Sequence, residues 1–580
     1  MINQTRTLLV VALFVVVYLL WQAWQKDYPA IPPPAPTPSA AISSAAVPST
    51  ANAAAVPSAA SSSAVAAAVA PTTGVRVPEN GHAVATPAKD LVTVTTNVLR
   101  LSIDPRGGTI VGADLLKYPQ KVGPDRAPVH LLNQTSAEYY VAQDGLVGAK
   151  GSAAPDHLAA FVPAASHYTL QPGAKDVVAS FTWHDPATGV EVIKRYTLTR
   201  DSYVVQLSQE IVNHGQQAWY GSAYEQLERV EPPPPKKHFL EFYNPDSWAF
   251  TGAAWYSPDS KFNTLKFGDF EKDPVHKDVT GGWVAMDQRF FLGAWIPDVK
   301  QPQQFSSIEL PADGPDGKPR YLMRTLGPIM TVAPGAAGTS SARLFVGPQL
   351  QNKLGSIAPG LNLTVDYGHF TVIAVPMFKL LAFLQSLVRN WGVAIVVLVL
   401  IIQGVTWKLT EKQYVSSARM RKLQPRLKAL KERFGSDKQK YQQAMMELYK
   451  KEKVNPMAGC LPLIITYPIF FALYYVLIFS VELRHAAFLW IPDLSSADPY
   501  FILPILYALT MLGSQFLTPM QGMDPTQARL MKFMPVAFAV LFFFFPAGLT
   551  LYYVVRQICM LGQQWYITRK IDRAEARAHA

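Results

Sequence analysis

The chain has 580 residues, 49% of them hydrophobic and only 16% charged, which is too long for one domain and apolar for a soluble protein of that size. Its formal net charge of +11 is concentrated: Lys408 to Lys453 hold 14 Lys and Arg against 5 Asp and Glu, so the basic balance reflects one segment between apolar runs, and with no recognition motif beside it a specific nucleic-acid partner is set aside. The two cysteines, Cys460 and Cys559, both fall in apolar runs, which excludes a disulfide framework or a Cys-based metal site in the long polar middle region; nothing in the sequence asks for a cofactor.

The first apolar run, Leu8 to Trp24, follows Arg6 and precedes Lys26 and Asp27; it is longer than a signal-peptide core and has no small-residue cleavage site close behind. Residues 1–28 are expected to be an uncleaved anchor helix with its tip inside. Residues 29–88 are Ala, Pro and Ser with almost no charge, a composition that cannot bury enough surface to offset ordering entropy, and read as a disordered linker. From Leu91 the apolar period changes to two. Leu91, Thr93 and Thr95 alternate with Val92 and Val94, and Tyr203, Val205, Leu207 and Ile211 repeat the pattern beyond a turn at Arg200-Asp201-Ser202. Residues 89–347 therefore predict a large antiparallel β domain outside the membrane.

Residues 348–390 form a connection that ends in an amphipathic helix, Pro376 to Val388, with Phe378, Leu381, Leu384 and Val388 at helical spacing; it is short and charged at its ends, which suits the membrane interface. Trp391 begins a second span, 391–408. The basic segment 409–456 predicts a helical hairpin, because Leu423, Leu427, Leu430 and Phe434 line one helix and Tyr441, Met445, Leu448 and Tyr449 another. Pro425 should kink the first helix, Gly435 stop it, and Ser436 with Gln439 cap the second. By the positive-inside rule this hairpin is cytoplasmic, with Arg419, Arg421, Lys422, Arg426, Lys428, Lys431 and Arg433 as its cations and phospholipid headgroups among its partners.

Further apolar stretches follow at 457–480 and 501–518, separated by a loop at 481–500. The run from Phe533 to Trp565 is too long for one crossing and holds Pro546-Ala547-Gly548, so it divides into spans 533–545 and 549–567 around a tight turn. The fold class is then a polytopic α-helical membrane protein of six transmembrane helices with an all-β domain outside. Counting crossings puts 519–532 and the tail 568–580 inside with the hairpin.

At this level the motifs resemble a known family. Leu423-Gln424-Pro425, Gln443 to Lys450, Val454-Asn455-Pro456, Pro468-Ile469-Phe470, Val481-Glu482-Leu483-Arg484, Asp498-Pro499-Tyr500, and Phe545-Pro546-Ala547-Gly548-Leu549 with Leu551-Tyr552-Tyr553 are similar in order and spacing to the YidC family of the YidC/Oxa/Alb group, in its Gram-negative form. The resemblance implies a bacterial inner-membrane insertase and chaperone, not an enzyme, with a five-helix core. A hydrophilic groove would open to the cytoplasm and to lipid. It further implies that the β domain is a supersandwich related to sugar-binding folds and largely dispensable for insertion. Implied partners are nascent membrane proteins, the Sec translocon and its associated subunits, and ribosomes or the signal recognition particle pathway. The sequence departs from the family at Gln403, where a positive charge is usual, at Trp407-Lys408, where Tyr-Pro is usual, and at Thr466, where Gln is common.

Groove candidates are Gln403, Thr466, Gln515, Tyr552, Tyr553 and Arg556. Thr510, Ser514 and Gln515 could line a groove or tie helices together; the resemblance assigns Tyr553 to the groove. Arg556 lies eight residues past Gly548, about 12 Å along a helix and near mid-membrane, where an Arg facing lipid costs at least ~2.5 kcal/mol. It is expected to supply the charge that Gln403 lacks, with snorkelling to the outer headgroups as the competing reading. An ion-coupled transporter or a sugar-binding membrane protein is the alternative function. The transporter would require Asp, Glu or His within the spans, and none is present from 391 to 407, 459 to 479, 501 to 517 or 533 to 565. No metalloprotease, nucleophile-elbow or phosphate-loop motif occurs.

Overall fold

The computed structural model describes residues 77–78, 87–124, 126–233, 249–312, 317–434, 437–452, 461–517 and 539–579. The expected anchor helix, all but four residues of the linker, Gly435, Ser436, Cys460, the loop 519–532 and the start of the span 533–545 lie outside the described residues.

Alternating side chains build two β-sheets. The first has 11 strands: nine run in space from His276–Thr280 through Pro302–Leu310, Arg320–Leu326, Trp219–Val230, Tyr140–Gly148, Thr109–Pro119 and Leu99–Asp104 to Val92–Thr95 and His167–Thr169, while Met330–Val332 pairs with Trp219–Val230 and Pro128–Leu132 with Thr109–Pro119. The second has nine, from Lys261–Leu265 through Thr251–Ser257, Trp283–Gln288, Phe291–Pro297, Ala337–Pro348, Val204–Asn213 and Val190–Thr199 to Asp176–Asp185 and Val162–Pro163. Apart from the parallel pair Val92–Thr95 and His167–Thr169, the ladders are antiparallel, as the period-two pattern predicts. Val92 and Val94 face inward, as do Val205, Leu207 and Ile211, and the turn between their strand and Val190–Thr199 places Asp201 at φ 58°. One apolar core fills the space between the sheets, with Leu101, Ile110, Phe181, Tyr196, Trp295 and Phe305 buried in it.

The second sheet is covered on its other face as well, which half-buried strands would not require. Ala254, Trp283, Leu292 and Phe345 join a second core with residues of the helical region, among them Leu354, Phe378, Leu398, Leu477 and Tyr552. The helical region comprises α1 (Gln351–Ile357), α2 (Thr371–Val388), α3 (Trp391–Phe434), α4 (Lys438–Lys451), α5 (Leu461–Phe479), α6 (Ile502–Leu517) and α7 (Ala547–His579). The segment Val481-Glu482-Leu483-Arg484 fastens this region to the β domain: Val481 sits in the inter-sheet core, Arg484 Nη2 donates to the Gln120 carbonyl at 3.1 Å, and Arg289 Nη2 donates to the Ile478 carbonyl at 3.0 Å. Glu482 accepts from the Gln351 backbone N–H at 3.3 Å, and burial pushes its carboxyl up from 4.5 to about 7.

Four expectations change here. First, α2 begins at Thr371 rather than Pro376, so Pro376 lies inside it and leaves the carbonyl of Val372, a residue 85% exposed, without its helical donor. The lengthened segment Gly368–Val388 and the segment Trp391–Val415 are the two described stretches long and apolar enough to cross a membrane; Tyr467–Phe479 and Ile502–Ser514 are apolar but shorter. Second, α3 does not end near Lys408. It runs unbroken for 44 residues, about 66 Å, through Pro425, so the second span and the first hairpin helix are one element. Third, the N-cap of α4 is Asp437, whose carboxylate accepts from the Lys440 N–H at 3.2 Å, not Ser436. Fourth, α7 extends through the expected tail to His579.

The ends of the helices are set by side chains in the loops. Arg389 ends α2 in the left-handed region at φ 53°, and Asn390 then caps α3 by accepting from the Val393 N–H at 3.0 Å. Asp498 accepts from the N–H groups of Tyr500 and Leu503 and from the Trp490 indole, fixing the entry to α6. The turn at Pro546 is held from outside the helix, because Ala547 N–H donates to the Ser496 carbonyl at 2.7 Å and Gly548 N–H to the Leu494 carbonyl at 2.9 Å. A Cβ at Gly548 would lie 3.1 Å from that Leu494 oxygen, which explains the small residue there.

Candidate functional site

Helices α3 and α7 pack along each other, and the polar candidates meet on their facing sides. Gln403 Nε2 donates to the backbone carbonyl of Arg556 at 3.4 Å. Farther along the same seam Gln563 Nε2 donates to the Trp407 carbonyl at 3.1 Å and the Tyr414 hydroxyl donates to the Met560 carbonyl at 3.5 Å. Each of these bonds uses a helix carbonyl as acceptor, so the seam satisfies its polar side chains without a charged partner. Trp407, where the resemblance leads one to expect Tyr, lies with its ring 6.4 Å from that of Tyr566.

Arg556 is partly buried, and its guanidinium is within electrostatic reach of the hydroxyls of Tyr414, Tyr507, Tyr552 and Tyr553 from three helices. Among the described residues no carboxylate forms an ion pair with it. The nearest acidic residue along α3, Glu411, is engaged elsewhere, with Lys408 and Lys570 each at 3.6 Å. Tyr552 is buried, whereas Tyr553 enters an aromatic cluster with ring centroids 4.9 Å from Phe542, 5.3 Å from Tyr552, 5.5 Å from Phe470 and 5.8 Å from Tyr507. The arrangement is a cation walled by amphipathic rings, able to offer charge at one end and π-faces at the other.

The structure thus brings together Gln403, Tyr552, Tyr553 and Arg556. The side chains of Thr466 and Gln515 lie outside the described residues. Thr510 and Ser514 do not tie helices together: their hydroxyls donate to the carbonyls of Tyr507 and Met511 in their own helix, at 2.8 and 2.7 Å. Sequence reasoning missed Phe470, Tyr507 and Phe542 as members of the cluster. Their aromatic character was visible, but each comes from a different segment, and no spacing rule links them.

In the basic hairpin Leu423 is buried, and the remaining stripe residues of both helices are partly buried. Arg426 joins the two helices through Glu452, and Arg433 lies 5.3 Å over the Phe434 ring. The side chains of Arg419, Arg421, Lys422, Lys428 and Lys431 lie outside the described residues. Among the described residues no group of His, Cys, Asp and Glu could hold a metal ion.

Known proteins match nearly the whole chain. Residues 91–380 match the YidC periplasmic domain family, and residues 383–575 match the 60Kd inner membrane protein family. A membrane protein insertase YidC of Nitrosococcus oceani is 41% identical over 98% of this chain and 99% of its own length. One from Xanthomonas campestris pv. campestris is 42% identical over 98% and 97%. A crystal structure of an active YidC insertase with its first transmembrane domain resolved is 17% identical, with a TM-score of 0.38 over 83% of this chain and 93% of that one. With two family matches end to end and relatives above 40% identity across nearly its full length, the chain belongs to the YidC family of membrane protein insertases.

Proposed function

We propose that this protein inserts newly made inner-membrane proteins into the bilayer and assists their folding, and that the space bounded by Gln403, Thr466, Gln515, Tyr552, Tyr553 and Arg556 is its substrate groove. The observation that carries this reading is the partly buried Arg556, backed by Gln403 and walled by tyrosines, with no carboxylate paired to it among the described residues. A polar tail crossing hydrocarbon leaves groups unsatisfied at several kcal/mol each, and a cation with wet aromatic walls shortens that path for an acidic tail. The apolar part of the substrate then moves sideways into lipid. No bond is made or broken by the protein.

The proposed topology has six spans, both termini and the basic hairpin in the cytoplasm, and the β domain in the periplasm. In that arrangement the hairpin receives substrate from ribosomes, the signal recognition particle pathway or the Sec translocon, with its exposed cations attracted to anionic lipid. The β domain is proposed to be dispensable for insertion: deletion of about 88–340 should leave insertion of a small single-span substrate intact at equal protein level.

The test is photocrosslinking to a stalled nascent membrane protein. Crosslinkers at Gln403 and Tyr553 are expected to capture the substrate, and one at Leu509, a 59% exposed position on α6, is expected to capture lipid. Capture of substrate from Leu509 but not from Gln403 or Tyr553 would overturn the groove assignment.

A further inference from the structure

A cleft of about 1180 Å³ opens where the β domain meets α2, and nothing in the insertion mechanism uses it. Its floor is one face of α2, with Val375, Phe378 and Ala382 at helical spacing; its rim carries Lys379 from the same helix and Lys261 from the β domain. Past this face α2 exposes large apolar side chains, with Phe383 59% and Leu387 65% exposed. The cleft therefore has an apolar strip along α2, polar side chains such as Asn263, Asn352 and Asn362 elsewhere in its lining, and two cations.

The charges at the rim do not cancel. Neither Lys261 nor Lys379 forms an ion pair among the described residues, and the single carboxylate of the lining, Asp366, already accepts from the Gly368 N–H at 2.7 Å. Lys261 also holds a left-handed backbone conformation, φ 60°, at the head of its strand, a position that favours glycine or asparagine. A lysine kept there against that preference puts a cation at the rim. Two unpaired cations above an apolar floor fit an anion attached to a hydrocarbon chain.

We propose that this cleft binds a phospholipid, with its phosphate between Lys261 and Lys379 and an acyl chain along Val375, Phe378 and Ala382. That the lipid comes from the outer leaflet rests on the topology proposed above; the binding itself does not. Such a lipid would fill the space beneath the β domain and seat α2 against the membrane surface.

The test is retention of phosphatidylglycerol by the purified full-length protein, measured by native mass spectrometry across a lipid titration. Both lysines are exposed, so their replacement leaves the core untouched. Each of Lys261→Gln and Lys379→Gln is expected to weaken retention about 5-fold, and the pair roughly 30-fold. Lys353→Gln, on α1 and outside the cleft, serves as the control. Ala382→Trp, which fills the floor, should also lower retention. Equal retention by the double variant would overturn the proposal. Displacement of the lipid by inorganic phosphate at equal concentration would overturn it too, since that marks a free-phosphate site with no part for the acyl chain.

Discussion

Two cations, Lys194 in the β domain and Arg556 in the helical region, have opposite surroundings. Inside the β domain Lys194 is fully buried and paired at 2.6 Å with Asp144, which is equally buried; its ammonium also donates to the Gly107 carbonyl at 2.6 Å and lies 4.8 Å over the Phe161 ring. Tyr196 completes the set by donating to Asp144 at 2.6 Å. Arg320 and Glu228 form a second such pair at 2.6 Å. In the helical region Arg556 has tyrosines and a neighbouring glutamine around it and no carboxylate among the described residues. A charge matched on every side fixes a structure, whereas a charge left unmatched is available to something that arrives.

The largest effect should come from unmatching the scaffold. Asp144→Asn leaves Lys194 buried without its counter-charge and is expected to cost about 3–5 kcal/mol, read as a lowered unfolding midpoint of the full chain, while replacing both residues by Leu and Met should restore most of it. If Asp144→Asn unfolds like the native protein, the pair does not fix the β domain and the contrast fails.

A smaller effect is expected at the junction between the halves. Burial lifts the Glu482 carboxyl to about 7, so the folded protein keeps a proton that the unfolded chain releases near 4.5. Its contribution is fully present below about pH 4.5 and is lost as pH rises to 7. Glu482→Gln should therefore be neutral at pH 4.5 and stabilising above pH 7, by on the order of 3 kcal/mol. Glu225, inside the β domain and also lifted to about 7 by burial, moves stability in the same direction, so the difference between variant and native protein is the quantity to read. A difference that does not change with pH would place the Glu482 carboxyl outside the junction's energetics.

The smallest effect belongs to the hairpin. Arg426 and Glu452 are a surface pair, and Arg426→Ala should cost under about 1 kcal/mol and leave insertion unchanged. A large loss would mean that the hairpin depends on this contact more than on its apolar stripes.

How much of this was legible in the sequence depended on range. Period-two alternation found the inward row Val205, Leu207 and Ile211, and helical spacing found the hairpin stripes, because both signals are local. No reading of the sequence singled out Lys194, which the alternation of Val190–Thr199 turns inward, because its partner lies 50 residues away on the other sheet. Helices α3 and α7 run on past the expected span ends at 408 and 567, because charge marks the end of an apolar run, not of a helix. Lys408 to Phe434, Pro425 apart, and Ile567 to His579 are rich in Lys, Arg, Glu, Leu and Ala, good helix formers. At the site, Tyr552, Tyr553 and Arg556 shared a helix face and could be grouped, whereas the approach of Gln403 needed the packing of α3 on α7.

The most direct test concerns the role proposed for Arg556, that it supplies the field of the groove from a helix other than the one on which the family usually carries it. The measurement is insertion of a substrate with an acidic translocated tail, compared at equal protein level for the native protein, Arg556→Gln, and Arg556→Gln with Gln403→Arg. Gln403 touches the backbone of Arg556, so an arginine there enters the same space. The single change is expected to lower the insertion rate about tenfold, equivalent to about 1.4 kcal/mol, and the double variant to recover most of that loss. Undiminished insertion by Arg556→Gln would contradict it.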